Sequence, residues 1–337
     1  MCVNIMKTAL ITGGLGFIGS HICIQLLEKG YNIVIIDNLS NSSIEKLDVI
    51  RKYNTHNCTI EFFEFDLIEY NLLQQTIRRF THKIDVIIHL AGLKAVAESI
   101  EKPVFYYENN LVSTINLLKA MEEFAITNLI FSSSCTVYGS ESAPFNESTA
   151  TGVGITNPYG RSKYLQEEML KDVAVKYPNW NIVMLRYFNP VGHHSLEFKE
   201  VPCGVPNNLF PYIGKVYMGE LEQLTVFGSD YATRDGTCSR DFIHVVDLAD
   251  AHICCSEKVL SGTVNGLRIY NVGTGCDTTV LELIHAFEKV NSTKINYKLG
   301  ARRPGDVMSS YCTSSRISDE LGWKSKLTIE DCVKFNM

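Results

Sequence analysis

The sequence predicts an α/β fold: a doubly wound parallel-sheet Rossmann domain followed by a smaller mixed α/β C-terminal lobe. Three observations predict it. Short β-branched runs alternate with amphipathic stretches through the first half of the chain. Most of those runs carry consecutive apolar residues, which places apolar side chains on both strand faces, as strands covered by helices on both sides require. The first run passes into a glycine cluster, Gly13-Gly14-Leu15-Gly16-Phe17-Ile18-Gly19, and then into an amphipathic helix.

Taken in order, the expected strands are TALIT (8–12), NIVIID (32–37), IEFFEFD (60–66), DVIIHLA (85–91), NLIFSSS (128–134) and NIVMLRYF (181–188). Helical patterns near 17–29, 43–53, 69–82, 103–124 and 158–177 fill the intervals. Parallel strands joined through helices take right-handed crossovers, which yields the doubly wound order. After about residue 190 the rhythm breaks. Gly and Pro punctuate VGHHS and VPCGVPNNLFP, and the shorter strands LTVFG (224–228), IYNVG (269–273) and INYKLG (295–300) are separated by helices near 246–260 and 279–291. The expected division is a dinucleotide-binding domain over 1–190, to which some later segments return, and a substrate lobe over 191–337.

Composition narrows the function. The content of 45% hydrophobic and 20% charged residues is that of a globular chain. A net charge of −6 argues against an extended nucleic-acid surface, because phosphate affinity comes from accumulated positive charge. The 11 cysteines are odd in number and include no C-x-x-C, so they read as reduced thiols of a cytoplasmic protein, with no metal spacing among them. His193–His194 reads as a solvated loop pair. The segment MCVNIMKT lacks a signal peptide's apolar core, and no run approaches membrane-spanning length.

The glycine cluster points to a dinucleotide. A tight strand-to-helix turn needs glycine for its dihedrals and for close approach to a pyrophosphate, which the helix N-terminus then attracts. Surface turns also contain glycine clusters, but this one has a strand before it, a helix after it and Asp37 at the end of the next strand. A carboxylate there accepts from a ribose 2′-hydroxyl and repels a 2′-phosphate, which favours NAD over NADP. Asp66 also ends a strand; adenine contact and a helix-capping role fit its spacing equally.

The segment Asn157-Pro158-Tyr159-Gly160-Arg161-Ser162-Lys163 places Tyr159 and Lys163 on one helical face. The spacing alone carries little weight, since 16 tyrosines make one such pair expected by chance. Its position matters more: it follows the fifth strand, whose end carries Ser132, Ser133 and Ser134 and would face a nicotinamide. A phenol with a pKa near 10 is a poor base at neutral pH. A positive charge about 6 Å away stabilises its phenolate by roughly 3 kcal/mol, about two pKa units. Lys163 can supply that charge, and a serine hydroxyl can orient the substrate proton.

Together these residues resemble the extended short-chain dehydrogenase/reductase family, and within it the UDP-sugar 4-epimerases. The resemblance runs through GGLGFIGSH, IDNLSNS, HLAGLKAVAES, YYENN, FSSSCTVYG, NPYGRSK, LRYFNPVG, GVPNNLFPYI, RDFIHVVDLADAH, YNVGTG and RRPGD, in that order. It implies that Ser134, Tyr159 and Lys163 are catalytic. NAD would be lined by Gly13, Gly16, Phe17, Ile18, Gly19, Asp37, Asn38, Asp66, Leu67, Lys94, Asn109 and Tyr187. A UDP-hexose would be held by Asn189, Asn208, Leu209, Thr225, Phe227, Arg240, Arg303 and Asp306. Forked guanidinium bonds suit Arg240 and Arg303 to a diphosphate; the plainer alternative is that they pair with Asp241 and Asp306. The implied reaction removes the C4-hydroxyl proton and hydride, forms a 4-keto sugar with transient NADH, and returns the hydride to the other face.

Two departures bear on chemistry. Cys135 stands where relatives usually carry alanine. Ser310, shortly after RRPGD, stands where some relatives carry a bulky tyrosine, so N-acetylated UDP-hexoses should also fit. Related dehydratases and decarboxylases carry a carboxylate just before Val-Tyr-Gly, where this chain has Cys135-Thr136. A net NAD-linked dehydrogenase and a catalytically inert NAD-binding scaffold are the other readings; the intact Ser134, Tyr159 and Lys163 oppose the scaffold. The resemblance also implies a homodimer through helices near 103–124 and 158–177.

Overall fold

The computed structural model describes residues 6–80, 83–195, 198, 208–303, 305–313 and 315–335. Its strands are β1 Thr8–Thr12, β2 Asn32–Asp37, β3 Ile60–Glu64, β4 Val86–His89, β5 Asn128–Ser134, β6 Asn181–Tyr187, β7 Asn189–Val191, β8 Leu224–Phe227, β9 Ser239–Arg240, β10 Phe242–His244, β11 Leu267–Val272, β12 Thr278–Thr279, β13 Tyr297–Gly300 and β14 Ser309–Ser310. Its α-helices are α1 Phe17–Glu28, α2 Glu45–Lys52, α3 Tyr70–Arg79, α4 Val96–Glu101, α5 Pro103–Glu123, α6 Pro158–Lys176, α7 Leu209–Tyr217, α8 Val245–Leu260, α9 Val280–Val290, α10 Ser315–Leu321 and α11 Ile329–Cys332.

Seven strands form one sheet in the order β11-β6-β5-β4-β1-β2-β3. The pairs β1–β2, β2–β3, β1–β4 and β4–β5 are parallel, with Leu10 opposite Val34 on one side and Ile87 on the other. Every residue of β1 is buried, as the central strand of a sheet covered on both faces requires. The chain leaves β1 for β2 and β3 and returns to β4, so the carboxyl ends of β1 and β4, at Thr12 and His89, flank the switch point where such sheets bind ligands. One face of the sheet packs Leu10, Val34, Ile36, Ile87, Phe131 and Met184 against Leu73 and Ile77 of α3, Leu117 and Met121 of α5 and Leu170 of α6.

Two compact units partition the chain. The first takes residues 1–133, 158–185 and 249–269, and the second 134–157, 186–248 and 270–337. In the second, β10 pairs β7 in parallel, β9 lies between β12 and β14, and β13 pairs β8 in parallel. Its core gathers Phe210 and Ile213 of α7, Leu224 and Val226 of β8, and Leu283, Ile284 and Phe287 of α9, with Phe335.

Four local readings change. IYNVG, expected among the strands of the small lobe, belongs to β11, the edge strand of the large sheet beside β6. The six-residue α4 is absent from the expectation because VAESIE is too short to show a helical period. His193 is buried, its ring 6.1 Å from that of Phe335, so only His194 of the pair is solvated. The expected helix near 69–82 ends at Arg79, and residues 81 and 82 lie outside the described residues.

Candidate active site

The turn from β1 into α1 is built for an anion. Gly13 adopts φ +70° and donates its N–H to the Ile36 carbonyl at 2.7 Å. A Cβ at Gly19 would lie 2.2 Å from the Gly13 carbonyl oxygen, so only glycine closes this turn. Gly16 is the N-cap of α1; no side chain caps the helix and its first turn holds no acid. The positive end of the helix dipole and the leading N–H groups at Phe17 and Ile18 are therefore uncompensated, the arrangement that receives a pyrophosphate. The residues present fit a dinucleotide.

Asp37, at the end of β2 and nearly buried, fixes this turn from the side. Its Oδ2 accepts the Leu15 N–H at 2.9 Å, and its Oδ1 accepts the Leu39 N–H at 3.0 Å and the Ser42 hydroxyl at 2.8 Å. A carboxylate offers about four acceptor directions, so three are taken internally and one is left for a ribose hydroxyl. Asn38 donates its amide to Asp66 Oδ2 at 2.7 Å, and Asp66 Oδ1 accepts the Ile68 N–H at 3.1 Å. The open choice for Asp66 thus acquires a third component: it braces the ends of β2 and β3.

Leu67 is buried in the core, and its carbonyl accepts from the Asn116 amide. Lys94 is exposed on the loop after β4. Asn109 is half-buried on α5, but its neighbour Asn110, which sequence reasoning passed over, holds that loop: it accepts the Leu93 N–H at 2.8 Å and donates to the Leu93 carbonyl at 3.1 Å. Asn110 also donates to the Ser162 hydroxyl at 3.0 Å, which in turn donates to the Tyr159 carbonyl at 2.8 Å. A fully buried polar residue on a long helix is the signal that could have found it. Tyr187, at the end of β6, is buried.

On α6, Tyr159 is half-buried and Lys163, one turn later, is buried. The Lys163 ammonium donates to the Ser132 carbonyl at 2.8 Å and to its hydroxyl at 3.3 Å, and lies 4.9 Å from the Phe131 ring centroid. Burial pushes its pKa down to about 8, opposed by the Glu167 carboxylate. Ser134 ends β5. Its Oγ accepts the Thr136 N–H at 3.2 Å and the Thr136 hydroxyl at 2.9 Å. A hydroxyl has two acceptor sites and one donor, so Thr136 occupies the acceptors and leaves Ser134 to act as a donor. Thr136 is a second residue the sequence reading left without a role.

In the second unit, Arg240 and Arg303 share one carboxylate. Arg303 donates to Asp306 at 2.9 and 3.1 Å, while Arg240 Nη2 lies 3.7 Å from it and Nη1 donates to the carbonyls of Ser239 and Val307. Two guanidinium groups against one carboxylate leave a net positive charge, suited to a diphosphate. The alternative pairing of Arg240 with Asp241 is ruled out. Asp241 is fully buried and accepts from the Thr274 N–H and hydroxyl and the Gly275 N–H at 2.7–2.9 Å.

Arg303 also lies 5.7 Å from the centroid of Phe227, an exposed aromatic ring beside the half-buried Thr225 on β8. Asn189 sits on β7, its N–H donating to the Asp241 carbonyl. Asn208 is exposed at the N-cap of α7 and makes no capping bond with its side chain; Leu209, which follows it, packs against the core. Ser310 is buried at the end of β14, its hydroxyl 3.9 Å from Cys135 Sγ. Burial pushes the Cys135 thiol up to about 11, which keeps it protonated and unreactive at neutral pH.

Known proteins match along almost the full length. The family model described as GDP-mannose 4,6 dehydratase matches residues 10–335. UDP-glucose 4-epimerase of Bacillus subtilis is 46% identical over 324 residues, covering 96% of this chain and 93% of its own. The mouse (Mus musculus) UDP-glucose 4-epimerase is 46% identical over 333 residues, covering 96% and 94%. The crystal structure of UDP-glucose 4-epimerase from Bifidobacterium longum in complex with NAD+ and UDP superimposes with a TM-score of 0.91 at 46% identity, covering 97% of this chain and 96% of that one. Likeness at this level, continuous over nearly the whole chain, makes it a member of the UDP-glucose 4-epimerase family within the extended short-chain dehydrogenases/reductases.

Proposed function

We propose that this chain catalyses the reversible C4 epimerisation of UDP-glucose and UDP-galactose through a 4-keto intermediate, with NAD as its cofactor. The observation that carries the reading is the seating of Lys163 on Ser132 one helical turn after Tyr159. The Gly13–Gly19 turn and α1 would hold the NAD pyrophosphate, and Asp37 the adenosine ribose; bound NAD supplies a reversible two-electron acceptor at the sugar C4. Tyr159 takes the C4-hydroxyl proton, helped by the charge of Lys163. Ser134 donates to the C4 oxygen as the carbonyl forms. Arg240 and Arg303 grip the diphosphate, so the sugar can turn while UDP stays bound.

The assignment of residues 1–190, with returning segments, to the cofactor and of 191–337 to the UDP-sugar belongs to the same proposal. The matching family model bears a dehydratase's name, but elimination needs an additional acid, and the residues before Val137-Tyr138-Gly139 are Cys135-Thr136. A second activity follows from Ser310. Its small buried side chain leaves room where a tyrosine would stand, so UDP-GlcNAc and UDP-GalNAc are also substrates. The chain works as a homodimer, a reading supported by apolar residues exposed on two helices that pack together: Val104, Phe105 and Ile115 on α5, Leu165 and Val175 on α6. No helix among the described residues is long and apolar enough to cross a membrane. The test is turnover of all four UDP-hexoses by the purified protein, with an absorbance scan for bound NAD. Failure to interconvert UDP-glucose and UDP-galactose, or release of free NADH in step with turnover, would overturn it.

A further inference from the structure

Glu167 follows Lys163 by four positions on α6, which puts the two side chains on one face. That face is buried: Glu167 is 0% exposed and Lys163 only 6%. A carboxylate is almost never fully buried unless something compensates its charge. Here the Ser133 hydroxyl donates to Glu167 Oε1 at 2.5 Å, and the residue before it, Ser132, receives the Lys163 ammonium on both its carbonyl and its hydroxyl. Consecutive residues of β5 therefore hold the cation and the anion of one helix. The chemistry assigned to Tyr159, Lys163 and Ser134 uses neither Ser133 nor Glu167.

We propose that Glu167, anchored by Ser133, is a positioning residue that keeps Lys163 charged and seated on Ser132. The proposal rests on the roles given above to Tyr159 and Lys163. Burial by itself drives the Lys163 ammonium towards its neutral form, and the Glu167 carboxylate is the charge that opposes this. The other titratable groups on the surrounding elements are few. His89 on β4 is kept neutral by burial and by the charge of Lys163. Tyr159 lies one turn back on α6 and adds to the upward push on Tyr106 of α5, whose hydroxyl donates to Glu98 of α4. From β5 come the hydroxyls of Ser132 and Ser133, and β6 carries buried Arg186, whose guanidinium donates to the Tyr138 hydroxyl, and Tyr187. A neutral Lys163 could not stabilise a Tyr159 phenolate, so the buried anion keeps the pair competent across neutral pH.

The test reads the charge of Lys163 directly. In NAD-bound protein labelled with ε-13C lysine, the Lys163 resonance is identified by its loss in Lys163→Arg and followed between about pH 6 and 10. Glu167→Gln has nearly the same shape, and its amide oxygen can still accept from Ser133, so the variant tests charge alone. Its Lys163 midpoint is expected at least about one unit below that of the unsubstituted protein, a tenfold loss of the ammonium-to-amine ratio at fixed pH. Ser133→Ala moves it in the same direction by less, and supplies the answer if Glu167→Gln does not fold. In turnover, the alkaline limb of kcat moves with the midpoint while KM for UDP-glucose holds. A midpoint unchanged within about 0.3 unit in both variants overturns the proposal, as does lost stability with an unmoved alkaline limb. The resonance needs no turnover, so a failed epimerase assay and a failed Glu167 role are told apart.

Discussion

Asp37 Oδ2 accepts the Leu15 N–H at 2.9 Å, which ties the end of β2 to the middle of the glycine turn after β1. The carboxylate shapes the turn, and in the proposed function it also meets the ribose. Asp37→Ala leaves the Leu15 N–H buried without an acceptor, a loss of about 1–3 kcal/mol. The variant is expected to melt lower and to purify with little bound NAD, as read by thermal denaturation and by cofactor released on denaturing the protein. Retention of native NAD content would show that the turn does not depend on Asp37.

Glycine is required to different degrees along the same turn. A Cβ at Gly19 would meet the Gly13 carbonyl oxygen at 2.2 Å, whereas one at Gly16 would meet it at 3.2 Å. Gly19→Ala should abolish NAD binding while leaving a folded protein by circular dichroism, and Gly16→Ala should weaken binding less. Equal effects would mean that close approach within the turn is not what selects glycine.

His89 gives the fold a defined acid sensitivity. Its ring lies between the Thr12 hydroxyl at 2.7 Å and the Thr114 hydroxyl at 3.0 Å, and burial, aided by the charge of Lys163, holds its pKa down at about 3. The folded protein keeps this ring neutral, while the unfolded chain protonates it below about 6.5. Stability from this residue is complete above about pH 6.5 and is lost as pH falls towards 3, by about 1.4 kcal/mol per unit in that window. Urea unfolding at pH 7 and pH 5 should show a loss of about 2 kcal/mol that His89→Gln does not share. The same loss in that variant would assign the sensitivity to other groups.

Ser310 tests breadth of substrate. Ser310→Tyr is expected to reduce turnover of UDP-GlcNAc and UDP-GalNAc at least tenfold and to leave UDP-glucose and UDP-galactose nearly unaffected. Unsubstituted protein inactive on both N-acetylated sugars would remove this reading, whatever the variant did.

Much of the fold was legible because Ala9–Ile11 of β1, Ile33–Ile36 of β2 and Leu129–Phe131 of β5 are consecutive apolar residues, which put apolar side chains on both strand faces and so call for a covered parallel sheet. The glycine turn was legible for the same kind of reason: strand, turn and helix follow one another in the chain, so local chemistry determines it. What escaped was set by contacts distant in sequence. Asn110 meets Leu93 and Ser162, and Glu167 meets Ser133, across helix and strand separations that no periodicity records. The alternative reading made Asp241 a surface partner for its neighbour Arg240, yet the loop at Thr274 and Gly275 encloses it. IYNVG sits far from the other sheet strands in sequence, and only pairing with β6 reveals its place.

The central claim is that Tyr159 is the base of a reversible C4 oxidation and reduction, held ready by Lys163 on Ser132. Its most direct test is the rate of UDP-galactose formation from UDP-glucose by purified NAD-containing protein and by Tyr159→Phe, at matched cofactor content. The expected result is steady interconversion by the unsubstituted protein and a fall in kcat of about 10²–10⁴-fold in the variant. Interconversion by Tyr159→Phe at the unsubstituted rate would contradict the account, and so would its absence in the NAD-loaded parent.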